Sequence, residues 1–350
     1  MQVITGSYTQ HVGGDLEGTG NGMAFFEFNE ETGQLKFKKE HHSTNVGYLA
    51  INKDACLIYT FQELLLDLEP KLLCYRLEGD SVELVSEIPI AGGLPCHILW
   101  LNDAKQVVVS CYQTGNVLIY ALDDFGVPTE CVQQIQFVGS SINAERQEAS
   151  HAHMTFYIEH QNVLAVSDLG SDKIYFLAQN EKQLWEQVCE LELPKGGGPR
   201  HLCMHPNGNY LFVINEMTAE LSLVKYQDNK WEWLKNEKLL NAPQDGCASA
   251  SAIKISPCGK HIYCGVRSVN AIAMMTFDIE TDELSLLGHT ETKGQTPRDF
   301  ELSKDGKWLL VGNQDSSSIS VFERDVKSGL LTYKYQNAEV ESVCCIKFCE

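Results

Sequence analysis

The sequence predicts an all-β chain folded as a seven-bladed β-propeller of four-stranded blades, its ring closed by the C-terminal strand joining the N-terminal blade. Three observations carry this prediction. Four segments repeat one another: LPCHILWLNDAKQVVVSCYQTGNVLIYAL from Leu94, GPRHLCMHPNGNYLFVINEMTAELSLVKY from Gly198, SASAIKISPCGKHIYCGVRSVNAIAMMTF from Ser249 and TPRDFELSKDGKWLLVGNQDSSSISVFER from Thr296. Units begin near residues 46, 94, 150, 198, 249 and 296, a period of about 50 residues that suits one propeller blade. Almost no stretch carries apolar residues at i, i+3, i+4 and i+7, so helices between the strands are not expected.

Taken in order, Val3 to Tyr8, Ala24 to Asn29 and Gln34 to Lys38 supply three strands that lack a first one. The unit from Val46 (VGYLAINKDACLIYTFQELL) and that from Ser150 (SHAHMTFYIEHQNVLAVSDLGSDKIYFLA) follow the repeat more loosely. Each complete unit reads as strand, turn, strand, polar loop and strand, then a fourth segment such as KWEWLKNEKLL or DELSLLGHTET. The turns HPNG, SPCG and SKDG place glycine where a tight hairpin needs it. The C-terminal SVCCIKFCE reads as a lone first strand, and joining it to the N-terminal three completes the seventh blade. Residues 1–350 are therefore expected to form one propeller domain. The polar insert from Gly139 to Ser150 reads as an exposed loop, and the Gly-rich stretch from His11 to Gly22 as a second flexible one.

Composition narrows the function classes. The chain has 350 residues, 47 acidic against 27 basic, a net charge of −20, and 43% hydrophobic residues. That apolar fraction supports a sizeable core and excludes a disordered chain. The acidic balance excludes a nucleic-acid or anionic-membrane partner, whose phosphates need an excess of Lys and Arg. An anionic ligand must find a local basic cluster inside an acidic envelope. MQVITGSYTQHVGG has no basic region followed by an apolar one, and no run of 18 apolar residues occurs. A cytoplasmic protein with no membrane span is expected. The 13 cysteines form no CxxC pair, and residues such as Cys56, Cys203 and Cys264 sit in apolar strand-like runs. They read as buried, reduced thiols, and no metal site is expected.

The repeat also shows which residues share a position around the ring. Counting back six positions from each turn gives Gly47, Cys96, His153, Arg200, Ser251 and Arg298 at the start of the first strands. Counting sixteen forward gives Tyr112, Leu169, Glu216, Arg267 and Gln314 after the second strands. Equivalent positions in adjacent blades are neighbours at the mouth of a central channel. His153, Arg200, Glu216, Arg267 and Arg298 therefore form a candidate site suited to a small polyanion. Arginine matches carboxylate and phosphate with a planar fork. A histidine can move protons near neutral pH, and a carboxylate can act as a general base. Taken singly, each has a plainer role: a loop-capping arginine, a rim histidine, one solvated acid among 47. Their coincidence in equivalent positions is what singles them out. His201 and His205 mimic a metal pair, but four residues along a strand separates them by about 13 Å. His205 reads as a structural turn residue. No nucleophile elbow or phosphate-binding glycine loop occurs.

GGGPRHLCMHPNGNYLFVINE, GQTPRDFELSKDGKWLLVGNQDSSSISVFERD and SPCGKHIYCGVRS resemble the lactonase family of seven-bladed propellers. That family includes the propeller-type 6-phosphogluconolactonase and the carboxy-cis,cis-muconate lactonizing enzyme. The resemblance spans nearly the whole chain and is clearest from Ser150 to Leu331. It implies His153, Arg200, Glu216 and Arg267 as catalytic residues; Arg298, from the positional count, and His201 and His151 are the candidate substrate-binding residues. It implies hydrolysis of a small anionic sugar lactone, 6-phosphogluconolactone above all, within the pentose phosphate pathway. Glu216 or His153 would activate water, one arginine would stabilise the oxyanion, and Arg298 would hold the phosphate. No metal or organic cofactor is implied, and a monomer or weak homo-oligomer is expected. A muconate-type cycloisomerase, another lactonase and a non-catalytic interaction scaffold are the alternatives.

Overall fold

A strand that is apolar along its whole length needs cover on both faces, and the second strands of the repeat are of this kind. Every residue of Tyr210–Asn215, His261–Val266 and Trp308–Asn313 is buried. The fourth strands alternate instead, as in Lys230–Lys238, where exposed and half-buried residues mix. This gradient from a two-sided to a one-sided pattern orders the strands from the channel outwards. In the computed structural model, which describes residues 1–14, 16–241 and 248–349, those strands form seven four-stranded antiparallel sheets. Six sheets are sequential, from the blade beginning with Val46–Asn52 to the blade beginning with Pro297–Leu302. Each innermost strand packs against those of the two neighbouring blades, so the sheets make a closed ring.

The seventh sheet combines both ends of the chain. Val343–Cys349 is its innermost strand and pairs antiparallel with Gln2–Ser7, with Gln2 opposite Cys349 and Thr5 opposite Ile346. Gly22–Phe28 and Leu35–His42 complete it. The core is distributed between blades. Trp308 anchors one such packing beside Phe28, and its indole N–H donates to the Glu30 carbonyl at 2.7 Å.

The turn glycines are required by both backbone and space. Gly259 has φ +76, and a Cβ there would lie 2.2 Å from Nε2 of His205. The imidazole of His205, held by Asn207 at 2.8 Å, thus fills the place a side chain would take. His205 is a turn residue, as expected. Three blades lack this glycine: Cys56, Lys105 and Asn162 take the left-handed position, with φ of 52, 49 and 52. A strained non-glycine residue replaces the glycine, and the fold tolerates it.

Two sequence expectations are corrected. Cys203 and Cys264 are buried, but Cys56 is exposed on its turn, as are Cys131, Cys189 and Cys258. The cysteines among the described residues are free thiols, and Cys247 lies outside those residues. The insert from Gly139 to Ser150 is not merely an exposed loop. Gln147 is fully buried and its amide donates to the Leu169 carbonyl at 2.9 Å, anchoring the insert at the channel mouth. No helix among the described residues is long and apolar enough to cross a membrane.

Ring closure makes a direct prediction. Removing residues 341–350 strips Gln2–Ser7 of its inner partner and leaves an unpaired edge facing the channel. The truncated chain is expected to lose the cooperative thermal transition of the full chain when followed by circular dichroism. An unchanged Tm would contradict the closure.

Candidate functional site

Side chains reach the mouth because each innermost strand is irregular at one place. The pairing of first with second strand shifts register at Gly47, Cys96, His153, Arg200, Ser251, Arg298 and Cys344, the same position in all seven blades. Such bulges re-aim a side chain that the regular pleat would point elsewhere. A second ring comes from the residue that follows each second strand: Tyr8, Glu63, Tyr112, Leu169, Glu216, Arg267 and Gln314. Its backbone N–H donates to the carbonyl two residues before the bulge, as in Glu216 to Gly198 at 2.7 Å and Glu63 to Asn45 at 2.9 Å. The two rings are therefore held together, blade by blade, by one repeated hydrogen bond.

They enclose a cavity of about 610 Å³, lined by His153, Arg200, Glu216, Arg267 and Arg298 together with Glu63, Cys96, Tyr112 and Arg146. A groove of about 650 Å³ beside His205, Cys258 and His261 is separate and touches neither ring. Glu216 is the hub of the cavity. Its Oε1 accepts from Arg146 Nη2 at 2.8 Å, and its Oε2 pairs with Arg200 Nε and Arg267 Nη2, each at 3.0 Å. Arg200 is buried and also donates to the Ser251 carbonyl at 2.8 Å. Arg267 donates to the Ala250 carbonyl at 2.9 Å.

The electrostatics follow from this packing. Burial pushes the Glu216 carboxyl up, but Arg267, Arg200 and Arg146 outweigh it and hold the group well below the usual carboxylate range. Burial lowers the Arg267 guanidinium to about 10, with Glu216 opposing and the neighbouring arginines adding to the fall. His153 is 6% exposed, and burial followed by the charge of Arg200 holds its imidazole well below the ordinary histidine value. It is neutral at pH 7, and its Nδ1 has no hydrogen-bond partner among the described residues.

Two of the candidate substrate-binding residues stand behind the cavity wall. His201 accepts from Arg200 Nη1 at 3.1 Å and faces the rings of His97 and Tyr48 further along the channel. His151 stacks on Tyr112 at 4.4 Å and donates from Nδ1 to the Tyr112 carbonyl at 2.8 Å. Arg298 lines the cavity, with its guanidinium 3.7 Å from Glu63 Oε1 and 5.1 Å from the centre of the Tyr8 ring.

Sequence reasoning missed two charged residues here. Arg146 belongs to the insert, outside the repeat, so no positional count could reach it. Its placement depends on Asn143, whose Oδ1 accepts from the backbone of Glu145 and Arg146 at 3.1 and 3.0 Å. Glu63 was reachable, because it lies sixteen residues after Gly47. The glycine at the first position hid the blade's contribution.

The comparisons with known proteins agree with this fold. The family model for the seven-bladed β-propeller lactonases matches residues 2–348. A 6-phosphogluconolactonase of Formosa agariphila is 29% identical over 321 residues, covering 89% of this chain and 91% of the relative. A 6-phosphogluconolactonase of Bacillus subtilis is 27% identical over 347 residues, covering 97% and 98%. The structure of a periplasmic gluconolactonase of Pseudomonas aeruginosa superposes with a TM-score of 0.89 at 21% identity, covering 99% and 98%, a likeness of fold. With its seven closed blades and a family match over almost its whole length, the chain belongs to the lactonase family of seven-bladed β-propellers.

Proposed function

We propose that this chain hydrolyses a sugar-acid lactone, 6-phosphogluconolactone to 6-phosphogluconate, a reaction of the pentose phosphate pathway. The cytoplasm is the proposed location, a monomer or weak homo-oligomer the proposed state, and no metal or organic cofactor takes part. The observation that carries this function is the convergence of three guanidiniums on Glu216, beside a neutral His153, in one cavity. Three positive charges against one carboxylate leave a local surplus inside a chain of net charge −20. That surplus suits a small anion.

In the proposed reaction His153 takes the proton from water, and the resulting hydroxide adds to the lactone carbonyl. Glu216 is the weaker base, because a carboxylate held ionised by three arginines has little affinity for a proton. Its part is to aim Arg200 and Arg267, which stabilise the oxyanion of the tetrahedral intermediate. Arg298, which stands beside Glu63 and Tyr8, holds the phosphate. His201 and His151 act on the substrate indirectly, the first by orienting Arg200 and the second by fixing Tyr112.

Three outcomes test this. The purified chain should remove 6-phosphogluconolactone faster than its spontaneous hydrolysis, and failure on every lactone tried would return the protein to the interaction scaffolds. Arg298→Ala should lose a charge-assisted contact of about 1.5–3 kcal/mol, roughly ten- to a hundredfold in kcat/KM, for the phosphorylated lactone only. Equal losses with and without the 6-phosphate would remove Arg298 from the phosphate site.

The pH profile assigns the base. With neutral His153 as acceptor, the acid limb of kcat/KM should rise as pH rises through a value below 6.5. His153→Asn should abolish that limb and lower kcat by about 10²–10⁴. Glu216→Gln should keep the limb but move it to lower pH, because the carboxylate's charge favours the imidazolium. A limb lost in Glu216→Gln and kept in His153→Asn would make Glu216 the base.

A further inference from the structure

The ring that carries Glu216 holds a second carboxylate, and its surroundings are the reverse of the first. Glu63 is buried and lines the same cavity. Room for it comes from Gly47, the one bulge residue without a side chain: a Cβ there would lie 1.9 Å from Glu63 Oε2. The φ of Gly47 is not in the left-handed region, so space rather than backbone conformation calls for glycine. Tyr8, the equivalent ring residue of the adjacent blade, donates its phenol to Glu63 Oε2 at 2.8 Å. Arg298 stands 3.7 Å from Oε1, a charge contact too long for a hydrogen bond. Glu216 has both oxygens claimed by guanidiniums within 3.0 Å, whereas Glu63 has one phenol and one distant charge.

Burial pushes the Glu63 carboxyl up, and Arg298, the Tyr8 hydrogen bond and Arg200 only partly reverse this. The thiols of Cys96 and Cys344 also face this charge. The two carboxylates of the mouth are thus driven in opposite directions, the pattern expected of groups with different proton-transfer roles.

The covalent structure of a 6-phosphorylated δ-lactone then places the roles in space. The ring oxygen that leaves is bonded to C5, and the phosphate hangs from C6, the next carbon. The group that protonates the leaving oxygen must therefore stand beside the group that holds the phosphate. Glu63 and Arg298 are such a pair.

We propose that Glu63 is the general acid that protonates the departing ring oxygen. This rests on the lactonase function proposed above. His153 accepts a proton from water, and the hydroxide forms a bond to the carbonyl carbon. The tetrahedral intermediate then collapses, the bond from carbon to ring oxygen breaks, and its electron pair goes to that oxygen. Glu63 delivers its proton there, leaving a hydroxyl on C5, a carboxylic acid at C1 and a carboxylate on Glu63. Solvent returns the proton of His153 to water and re-protonates Glu63, which restores the site.

The simpler role is a counter-ion that steadies Arg298, and kinetics separates the two. Glu63→Gln keeps the volume and an oxygen to accept from Tyr8. With 6-phosphogluconolactone between pH 5 and 8, kcat should fall about a hundredfold or more, with KM within about threefold. The decline of wild-type activity at rising pH, as Glu63 loses its proton, should disappear in the variant. A mere counter-ion would instead raise KM for the phosphorylated lactone and leave kcat and the alkaline limb in place, which overturns the proposal. Gly47→Ala pushes the carboxylate out while leaving it in the chain, and should reproduce the loss of kcat. Wild-type kcat in Gly47→Ala would likewise overturn it. A wild-type chain that opens no lactone overturns the lactonase function and this role together, whereas an active wild type with an unaffected Glu63→Gln overturns this role alone.

Discussion

The pairing of Val343–Cys349 with Gln2–Ser7 sets the circumference of the ring, and every distance at the channel mouth depends on it. An open stack of blades could slide or twist, because each sheet contacts only its neighbours. Closure removes that freedom and leaves no exposed edge at the centre. Contacts between successive blades then lock the inner circle. Cys96 Sγ donates to the His153 carbonyl at 3.2 Å, Ser167 Oγ to that of Arg200 at 2.6 Å, and Ser251 Oγ to that of Pro297 at 2.6 Å. Cys344 Sγ reaches the Val46 carbonyl at 3.1 Å and carries the same belt across the junction of the two chain ends. The cysteines at these positions serve as small donors in a crowded place.

Within that frame, electrostatics decides what the mouth can do. Guanidiniums as buried as Arg200 and Arg267 are unstable unless paired and hydrogen-bonded. Glu216 and the carbonyls of Ala250 and Ser251 supply those partners. The carboxylate is therefore bound to its arginines before any ligand arrives, and the arginines are pre-aimed. Preorganised charge of this kind is worth more than charge that must reorient during a reaction. In the proposed reaction, that pairing takes Glu216 out of proton transfer and leaves that part to groups with fewer charged partners. His153 and Glu63 are the two that fit.

Three blades show how the fold absorbs sequence change. Cys56, Lys105 and Asn162 sit at left-handed turn positions that the better repeats give to glycine. Each carries some strain, yet the strands on either side keep their register, because burial of the second strand outweighs one unfavourable turn residue. Glycine is retained where the neighbouring blade fills the space, as His205 does at Gly259.

Seven blades, the split closing sheet and five of the ionisable residues at the mouth were legible from the sequence, because each depends on a repeated spacing. His153, Arg200, Glu216, Arg267 and Arg298 occupy positions that a count along the chain can reach, and the bulges place them around one cavity. Tertiary structure alone decided the rest. Arg146 reaches Glu216 from an insert that repeats nothing, across 70 residues of sequence. His201 neighbours Arg200 in the chain, yet the strand turns it along the channel and away from the cavity. Glu63 shared the register of Glu216, but its position depends on the empty space above Gly47. The opposite protonation tendencies of these two glutamates come from burial and from which charges lie across the mouth. A linear spacing specifies which residues are equivalent, and only the closed ring determines what each of them faces.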